Sequence, residues 1–260
     1  MAEGIRIINK RNFRNMLKRI VKKLSTIRIA LSIKIREKTF EKQLKYLYFN
    51  NHSDTLLIIF SAFTGNSRRY NYVKGLSDCI CDRLYILDTW GYKGSYNMYE
   101  NGEAYPEEIT NRLITKMLNR GYKKIVTAGS SKGGTCAIYF GLNFHADEII
   151  AGACQYNLGS YLHRPDHEEI FKGMMGKNAS ERECKILNNK MPDCLEKHTG
   201  CSSKVHVFYS KKELTYERQI VDLMAKLKEC NIPFYDVESD FENHEDVGRP
   251  FLAYLKQNIE

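Results

Sequence analysis

Residues 125–134 read Ile125-Val126-Thr127-Ala128-Gly129-Ser130-Ser131-Lys132-Gly133-Gly134, and this segment decides the fold of the 260-residue chain. An apolar run typical of a buried strand ends in the pattern G-x-S-x-G and continues into a helix-like segment, residues 135–142. The two outer glycines lack the β-carbons that would collide where strand and helix meet. We therefore predict a nucleophile elbow that exposes the Ser131 hydroxyl. A plain α/β turn or a phosphate-binding loop is the alternative interpretation of so short a pattern.

The order of later residues favours the elbow. A catalytic triad built on this turn runs serine, then acid, then histidine along the chain. Glu213 follows a predicted strand over residues 205–210, and His244 follows the last predicted strand, residues 234–237. We expect Ser131 as nucleophile, His244 as general base and Glu213 as the acid, with Asp240 as the alternative acid. His244 could instead be a surface histidine among acids.

Two backbone amides are candidates for an oxyanion hole. The amide of Lys132 begins the helix after the elbow, where N–H groups have no intrahelical partner. The second donor in such enzymes comes from the loop after an earlier strand. The continuous apolar run of residues 55–60 predicts that strand, so the N–H of Phe63 or Ala62 is the candidate.

A loop rich in glycine and aromatic residues follows another predicted strand, residues 83–87. Ligands of open α/β sheets bind beyond the carboxyl ends of the strands. The loop is therefore a candidate substrate-binding segment, although a tight surface turn would have a similar composition. The residues assigned to substrate binding are Asp88, Trp90, Gly91, Tyr92 and Tyr96.

The length suits one large α/β domain with an additional arm. We predict an arm over residues 1–25 and a domain over 26–260. Alternating apolar residues over 27–35 and again over 44–48 predict two antiparallel strands beside a mostly parallel sheet. Helices are predicted over 106–119 and 216–230. Residues 155–204 lose strand character and are predicted to form a helical lid or cap insertion.

The positive charge is concentrated at the beginning of the chain. Residues 1–45 contain 14 Lys/Arg and 3 Asp/Glu, although the formal net charge of the whole chain is only +9. Apolar residues between 13 and 24 have helical spacing, which predicts a basic amphipathic helix. Such a helix can bind an anionic membrane surface or pack on its own domain, and binding to an acidic polysaccharide or nucleic acid is a further alternative. The remainder of the chain is nearly neutral and supports no globally basic surface, so we expect no nucleic-acid partner.

The cysteines and histidines predict neither a disulfide framework nor a metal site. The eight cysteines lack regular spacing and no secretory signal is visible, which favours a reduced, cytoplasmic compartment. No stretch has the ~20 apolar residues of a membrane-spanning helix. Two sets of possible ligands, His163 with Asp166 and His167, and Cys194 with His198 and Cys201, lack the spacing of an established zinc motif.

Together these motifs resemble the α/β-hydrolase superfamily from Thr55 to the C-terminus. The segments F-S-A-F, L-Y-I-L-D-x-x-G-x-x-G-S-Y and G-S-S-K-G-G resemble two groups of bacterial glycan-associated proteins more narrowly. These are the capsular polysaccharide biosynthesis proteins of the XcbB/CpsF type and the hydrolase-like component of the accessory Sec system. Polysialic acid O-acetyltransferases with a hydrolase fold are more distantly similar.

The resemblance implies serine-dependent O-acetyl transfer on a bacterial surface glycan. It also implies acetyl-CoA as the acyl donor, although no pantetheine-binding motif is visible. Two alternatives use the same sequence features. The chain could be an esterase or deacetylase of such glycans, or a non-catalytic component of a glycan-assembly complex at the inner face of the cell membrane.

Overall fold

A central eight-stranded sheet organises the chain. A computed structural model gives the backbone of residues 2–63 and 68–259, with their side chains except at residues 2–11, 18, 22 and 25. The strands are β1 (Lys38–Phe40), β2 (Leu44–Phe49), β3 (Thr55–Phe60), β4 (Asp82–Leu87), β5 (Lys124–Ser130), β6 (Glu148–Gly152), β7 (Lys204–Tyr209) and β8 (Phe234–Glu238).

The strand order is β1-β2-β4-β3-β5-β6-β7-β8. β1 pairs antiparallel with β2 and β2 antiparallel with β4, whereas the pairs from β4 to β8 are parallel. This agrees with the predicted mostly parallel sheet. Because β3 to β8 all point the same way, the loops that follow them meet at one edge of the sheet.

The sheet is buried on both faces, which explains its continuous apolar strands. Along β3, Leu56 and Ile58 face one hydrophobic cluster, whereas Leu57 and Ile59 face another. The first cluster includes the buried faces of the helices that follow β4, β5 and β7, and the second includes the C-terminal helix. The core therefore holds the strand ends rigidly in register.

The helices connect and cover these strands. The α-helices of the described residues are α1 (Ala2–Arg36), α2 (Tyr105–Leu118), α3 (Lys132–Asn143), α4 (Leu158–Leu162), α5 (Glu168–Met175), α6 (Glu181–Lys197), α7 (Val221–Glu229) and α8 (Gly248–Asn258). A π turn, Tyr216–Ile220, leads into α7, and a 3₁₀ turn, His244–Val247, leads into α8. Pro106 and two glutamates lie in the first turn of α2, where they suit its unpaired amides and dipole.

The strand predicted over residues 27–35 is wrong, because α1 continues to Arg36. Alternation of apolar residues every second position also gives i, i+4 pairs on two opposite faces of a helix. Ile29 and Ile33 pack against the core on one face. On the other face, Ile27 and Leu31 are 48% and 54% exposed. The alternating pattern thus reflects a helix with two apolar faces.

The insertion, residues 155–204, contains α4, α5 and α6. Ser180 and Glu183 form a capping box that begins α6. Lys190 of α6 contacts Glu107 of α2 at 2.8 Å, and both side chains are less than a fifth exposed. The insertion is therefore fastened to the body at this point, and its action as a lid remains a prediction.

Two general expectations concern membranes and disulfides. Among the residues described, no helix combines the length and apolar character needed to cross a membrane. All eight cysteines lie in the described part of the chain, and no disulfide joins them.

Candidate active site

The turn between β5 and α3 is a nucleophile elbow in its backbone geometry. Ser131 has φ +53° and ψ −127°, a conformation that side-chain-bearing residues rarely adopt and that costs about 1–3 kcal/mol. A β-carbon on Gly129 would lie 2.3 Å from the backbone of Gly133, and one on Gly133 would lie 2.4 Å from the Phe60 carbonyl oxygen. Both glycines of the motif are therefore required by close backbone approach.

The structure brings the three expected triad residues together. His244 Nε2 lies 2.7 Å from Ser131 Oγ, which is hydrogen-bond distance. On the other side of the ring, His244 Nδ1 lies 3.2 Å from Glu213 Oε1. These residues follow β5, β7 and β8, so three loops at one edge of the sheet supply them. Ser131 is 8% exposed and lies at the base of the site.

Glu213 is suited to hold the imidazole, because it is buried and ionised. Burial raises the pKa of this carboxyl, but hydrogen bonds from His244 and Thr215 outweigh burial and leave the pKa below its usual value. The alternative acid, Asp240, lies elsewhere. Its side chain is 80% exposed and forms an ion pair with Lys212 at 2.7 Å.

One candidate oxyanion donor is already engaged. The N–H of Ala62 donates to Asn71 Oδ1 at 2.9 Å, so Phe63 is the stronger candidate in this loop. Lys132 is the first residue of α3, and the Ser131 carbonyl accepts the helix's first bonds from the N–H groups of Gly134 and Thr135. The Lys132 amide precedes these bonds and has no acceptor within the helix. Sequence reasoning missed Asn71, which nothing in its local pattern distinguishes from a surface loop residue.

The glycine-rich loop after β4 is mostly interior. Asp88, Trp90 and Tyr96 are at most 4% exposed, whereas Tyr92 is 58% exposed. Gly91 has φ +56°, which requires a flexible residue there. The structure does not bring the five expected substrate-binding residues to one surface, and substrate contact by this loop remains a prediction.

Asp88 instead meets the side chain of Lys132. Asp88 Oδ2 lies 2.6 Å from Lys132 Nζ, and the two side chains are 0% and 1% exposed. From the sequence, only the backbone amide of Lys132 was expected to take part in the site. Nothing in the sequence pairs it with a residue 44 positions earlier, because the contact forms only when the loops after β4 and β5 meet.

A second missed contact lies beside the nucleophile. Tyr72 donates to or accepts from Ser130 Oγ at 2.5 Å, which fastens the residue preceding Ser131 to the segment after the oxyanion loop. Burial raises the pKa of Tyr72 to about 12, despite the lowering effect of the bond to Ser130. The phenol therefore stays neutral near pH 7 and acts as a structural partner.

One group of described side chains has the proximity of metal ligands. His163, Glu181 and Cys184 offer ligand atoms that all lie within 4.8 Å of one another, on the insertion. Two of these residues are exposed, and a tetrahedral structural site needs a fourth ligand. We therefore assign no metal to this group, and it differs from both sets considered from the sequence.

The arrangement can perform acyl transfer by nucleophilic catalysis. His244 can take the proton of the Ser131 hydroxyl through the 2.7 Å contact as the oxygen attacks a carbonyl. Glu213 stabilises the positive charge that then forms on the imidazole. Amides at the elbow and in the loop after β3 can donate to the negative oxygen of the tetrahedral intermediate.

Comparison with known proteins gives structural matches without sequence matches. No protein-family model and no curated protein matches the chain. The structure is similar to the capsule O-acetyltransferase of Neisseria meningitidis serogroup A, with a TM-score of 0.71 at 19% identity over 86% of this chain and 93% of that chain. A histidine-to-alanine variant of that enzyme, in complex with CoA, gives 0.68 at 22% identity, over 86% and 94%.

Two further structures extend the comparison. A glycosylation-associated protein complex from Streptococcus agalactiae gives a TM-score of 0.68 at 17% identity, over 85% of this chain and 46% of that chain. The fluorophosphonate-binding serine hydrolase F of Staphylococcus aureus gives 0.56 at 13% identity, over 84% and 92%. These similarities confirm the predicted α/β-hydrolase fold.

Proposed function

We propose that this chain is a serine-dependent acyltransferase that moves an acetyl group from acetyl-CoA to a hydroxyl of a bacterial surface polysaccharide. The observation that carries the proposal is the contact of 2.7 Å between Ser131 Oγ and His244 Nε2, with Glu213 on the opposite ring nitrogen. An activated nucleophile has this arrangement: the serine contacts an imidazole, and a buried, ionised acid holds the other side of that imidazole.

The reaction proceeds in two halves. Ser131 Oγ attacks the acetyl carbonyl while His244 accepts its proton, and the thiol of CoA leaves with a proton returned by His244. The acetyl group is then an ester on Ser131. A polysaccharide hydroxyl attacks this ester, His244 takes the hydroxyl proton, and the proton returns to Ser131 Oγ as the acetylated product leaves. The N–H groups of Phe63 and Lys132 stabilise the negative oxygen in both halves.

The choice of donor and acceptor is supported by the structural relatives. The capsule O-acetyltransferase of Neisseria meningitidis is named for acetyl transfer to a capsule, and its variant was obtained with CoA. In this chain, the glycine-rich loop after β4 and the insertion flank the carboxyl edge of the sheet. Exposed Tyr92 of that loop is suited to stack on a sugar face.

An esterase or deacetylase function is the second candidate, because the general base is accessible. The His244 side chain is 31% exposed, so water as well as a sugar hydroxyl can approach it. Which acceptor reacts depends on how well a bound glycan excludes water from the acetylated serine.

The test measures release of CoA thiol from acetyl-CoA with and without purified capsular polysaccharides, and O-acetyl groups on the recovered polymer by NMR. If the chain is a transferase, thiol release requires a particular polysaccharide, and the amount of thiol released equals the amount of O-acetyl groups gained by the polymer. Equal release without polysaccharide would instead support the esterase. Ser131→Ala is the matched control. Release that persists in this variant would contradict both candidates.

We also propose that residues 1–25 bind an anionic membrane surface. Apolar side chains on one face of α1 lie largely in solvent, including Phe13, Leu17 and Leu24 at 57%, 43% and 60% exposure. Ile29 and Ile33 pack against the domain core, and the three exposed residues take no part in that packing. Residues 1–36 contain 11 Lys/Arg and a single acid, Glu3. A second copy of α1 would therefore be repelled, whereas an anionic headgroup layer would be attracted.

Vesicle co-sedimentation tests this partner. The full chain is expected to bind vesicles containing phosphatidylserine, to bind phosphatidylcholine vesicles weakly, and to dissociate as salt is raised. The triple variant Phe13→Ser, Leu17→Ser, Leu24→Ser keeps every charge and is expected to lose binding. Equal binding by this variant would overturn insertion of the apolar stripe.

A further inference from the structure

The nucleophile elbow carries a buried ion pair that the reaction described above does not use. Lys132 Nζ and Asp88 Oδ2 are 2.6 Å apart, and neither side chain has more than 1% of its surface exposed. Replacing a buried ion pair by well-packed uncharged residues is often neutral or favourable for stability. Stability is therefore a weak reason for two charges to lie at this position, directly beside the nucleophile.

The contacts of Asp88 reach two loops. Its Oδ2 accepts the N–H of Ser95 at 2.7 Å, and its own N–H donates to Ser61 Oγ at 3.1 Å. Ser61 lies two residues before Phe63, the candidate oxyanion donor after β3. The Asp88 carboxylate thus accepts the N–H groups of Trp90 and Ser95 in the loop after β4, and its backbone N–H is bonded to the oxyanion loop.

Lys132 contacts the residue that carries the second candidate donor. Its backbone N–H is the other candidate donor, and its Nζ lies 5.2 Å from the centroid of the Phe63 ring. This distance is that of a cation–π interaction, which is stronger where water is excluded. One side chain therefore contacts the residue that carries the second donor, while its own amide is the first.

The backbone at Gly94 packs closely against the ion pair of Lys132 and Asp88. It has φ +111°, and a β-carbon there would lie 2.6 Å from Lys132 Nζ and 2.7 Å from Asp88 Oδ2. The loop after β4 consequently lies directly over the ion pair. Glycine is therefore required at this position by the close approach of the backbone to these two charges.

We infer that Lys132 and Asp88 are positioning residues, which hold the Lys132 and Phe63 amides in the geometry that an oxyanion requires. The inference rests on the proposed acyl transfer, because it concerns the same intermediate. The ion pair ties the elbow, the loop after β3 and the loop after β4 into one unit. Oxyanion donors are effective only when they are fixed before the charge develops, so this unit sets the rate of acylation.

The test separates acylation rate from folding. The double variant Lys132→Met, Asp88→Asn removes both charges together, so no unpaired buried charge remains, and it keeps the Lys132 amide. Its matched control is Lys190→Met, Glu107→Gln, which removes another poorly exposed pair, at 2.8 Å, between α2 and α6. Rapid mixing with p-nitrophenyl acetate gives a burst whose amplitude counts active sites and whose rate constant reports acylation of each site.

We expect the double variant to keep its burst amplitude and to lose about 100-fold in the acylation rate constant, the effect of misplacing an oxyanion donor. The control pair is expected to keep the rate constant within about threefold. Lys132→Arg retains the charge and the ion pair but not the Nζ position, and it is expected to fall between the two. This variant also serves if the double variant does not fold.

Each result has one meaning. A double variant with reduced amplitude but an unchanged rate constant would show a role in folding alone and overturn the inference. If the double variant does not fold, an unchanged rate constant in Lys132→Arg would overturn it in the same way. If the wild-type protein gives neither a burst nor a fluorophosphonate adduct on Ser131, the proposed function is overturned, and the inference with it. A wild-type burst with an equally fast double variant would leave acyl transfer standing and remove only the positioning role.

Discussion

Replacing Glu213 by glutamine tests which acid serves the triad and how strongly it acts. The carboxylate lies 3.2 Å from His244 Nδ1, and opposite unit charges at this distance interact by about 5 kcal/mol at an effective dielectric constant of about 20. Because the His244 side chain is 31% exposed, water screens part of this energy, and we retain about 3 kcal/mol. This energy is present when the imidazole is charged, as in the transition state.

Glu213→Gln is therefore expected to lower the acylation rate constant by about 100-fold, since about 1.4 kcal/mol corresponds to a factor of ten. Thr215→Val removes only a hydrogen bond to the carboxylate, worth about 1 kcal/mol, and is expected to cost about fivefold. Both are measured as burst rate constants with p-nitrophenyl acetate, and burst amplitudes correct for any unfolded fraction.

Asp240→Asn is the matched control, because Asp240 is the other acid near the histidine loop in the sequence. Its side chain is 80% exposed and paired with Lys212, so the substitution is expected to leave the rate constant within about twofold. A Glu213→Gln variant that kept more than about a third of the wild-type rate constant, or a slower Asp240→Asn variant, would contradict the role of Glu213 as the triad acid.

Three further predictions follow from contacts around the site. Gly133→Ala places a methyl group 2.4 Å from a β3 carbonyl oxygen and is expected to lower the free energy of unfolding, measured in urea, by about 2 kcal/mol or more. Gly248→Ala, with no atom within 4 Å of the new carbon, should change it by less than about 1 kcal/mol. Equal effects would contradict the elbow packing. Asn71→Leu removes the acceptor of the Ala62 amide and is expected to slow acylation about tenfold, while Asn71→Asp keeps an acceptor and most of the rate; the reverse order would exclude this role. The pKa of Glu213 is lowered from 4.5 in the folded chain, so its ionised form adds stability above about pH 4.5, and this stability is lost as the pH falls through the folded pKa. Glu213→Gln should therefore flatten the acid side of a plot of unfolding free energy against pH. An unchanged slope would contradict the lowered pKa.

The sheet and the position of the site were predictable because they depend on local patterns. Continuous apolar runs marked β3 and β5, and the glycines around Ser131 marked the turn between strand and helix. In a parallel sheet, residues that directly follow strands share one edge, so chain order alone placed Glu213 and His244 near the serine. These inferences need no knowledge of side-chain packing.

The features that were missed depend on contacts between distant segments. Alternation over residues 27–35 fits a half-buried strand and also fits a helix with two apolar faces, and only the packing of Ile29 and Ile33 distinguishes the two. The ion pair of Lys132 with Asp88 joins two loops, and its residues carry no local signal. Likewise, Trp90 is buried against Tyr105 of α2 and Tyr96 contacts Cys136 of α3, and composition does not determine these contacts.

Acyl transfer in this chain requires that Ser131 is a nucleophile activated by His244. Intact-mass measurement after treatment with a fluorophosphonate tests this activation on the wild type, Ser131→Ala and His244→Ala. We predict one adduct on the wild type, none on Ser131→Ala, and an adduct on His244→Ala that forms at least about 100-fold more slowly, because the contact of 2.7 Å that removes the hydroxyl proton is lost. An adduct of equal rate on His244→Ala, or no adduct on the wild type, would contradict the claim and favour a non-catalytic role in a glycan-assembly complex.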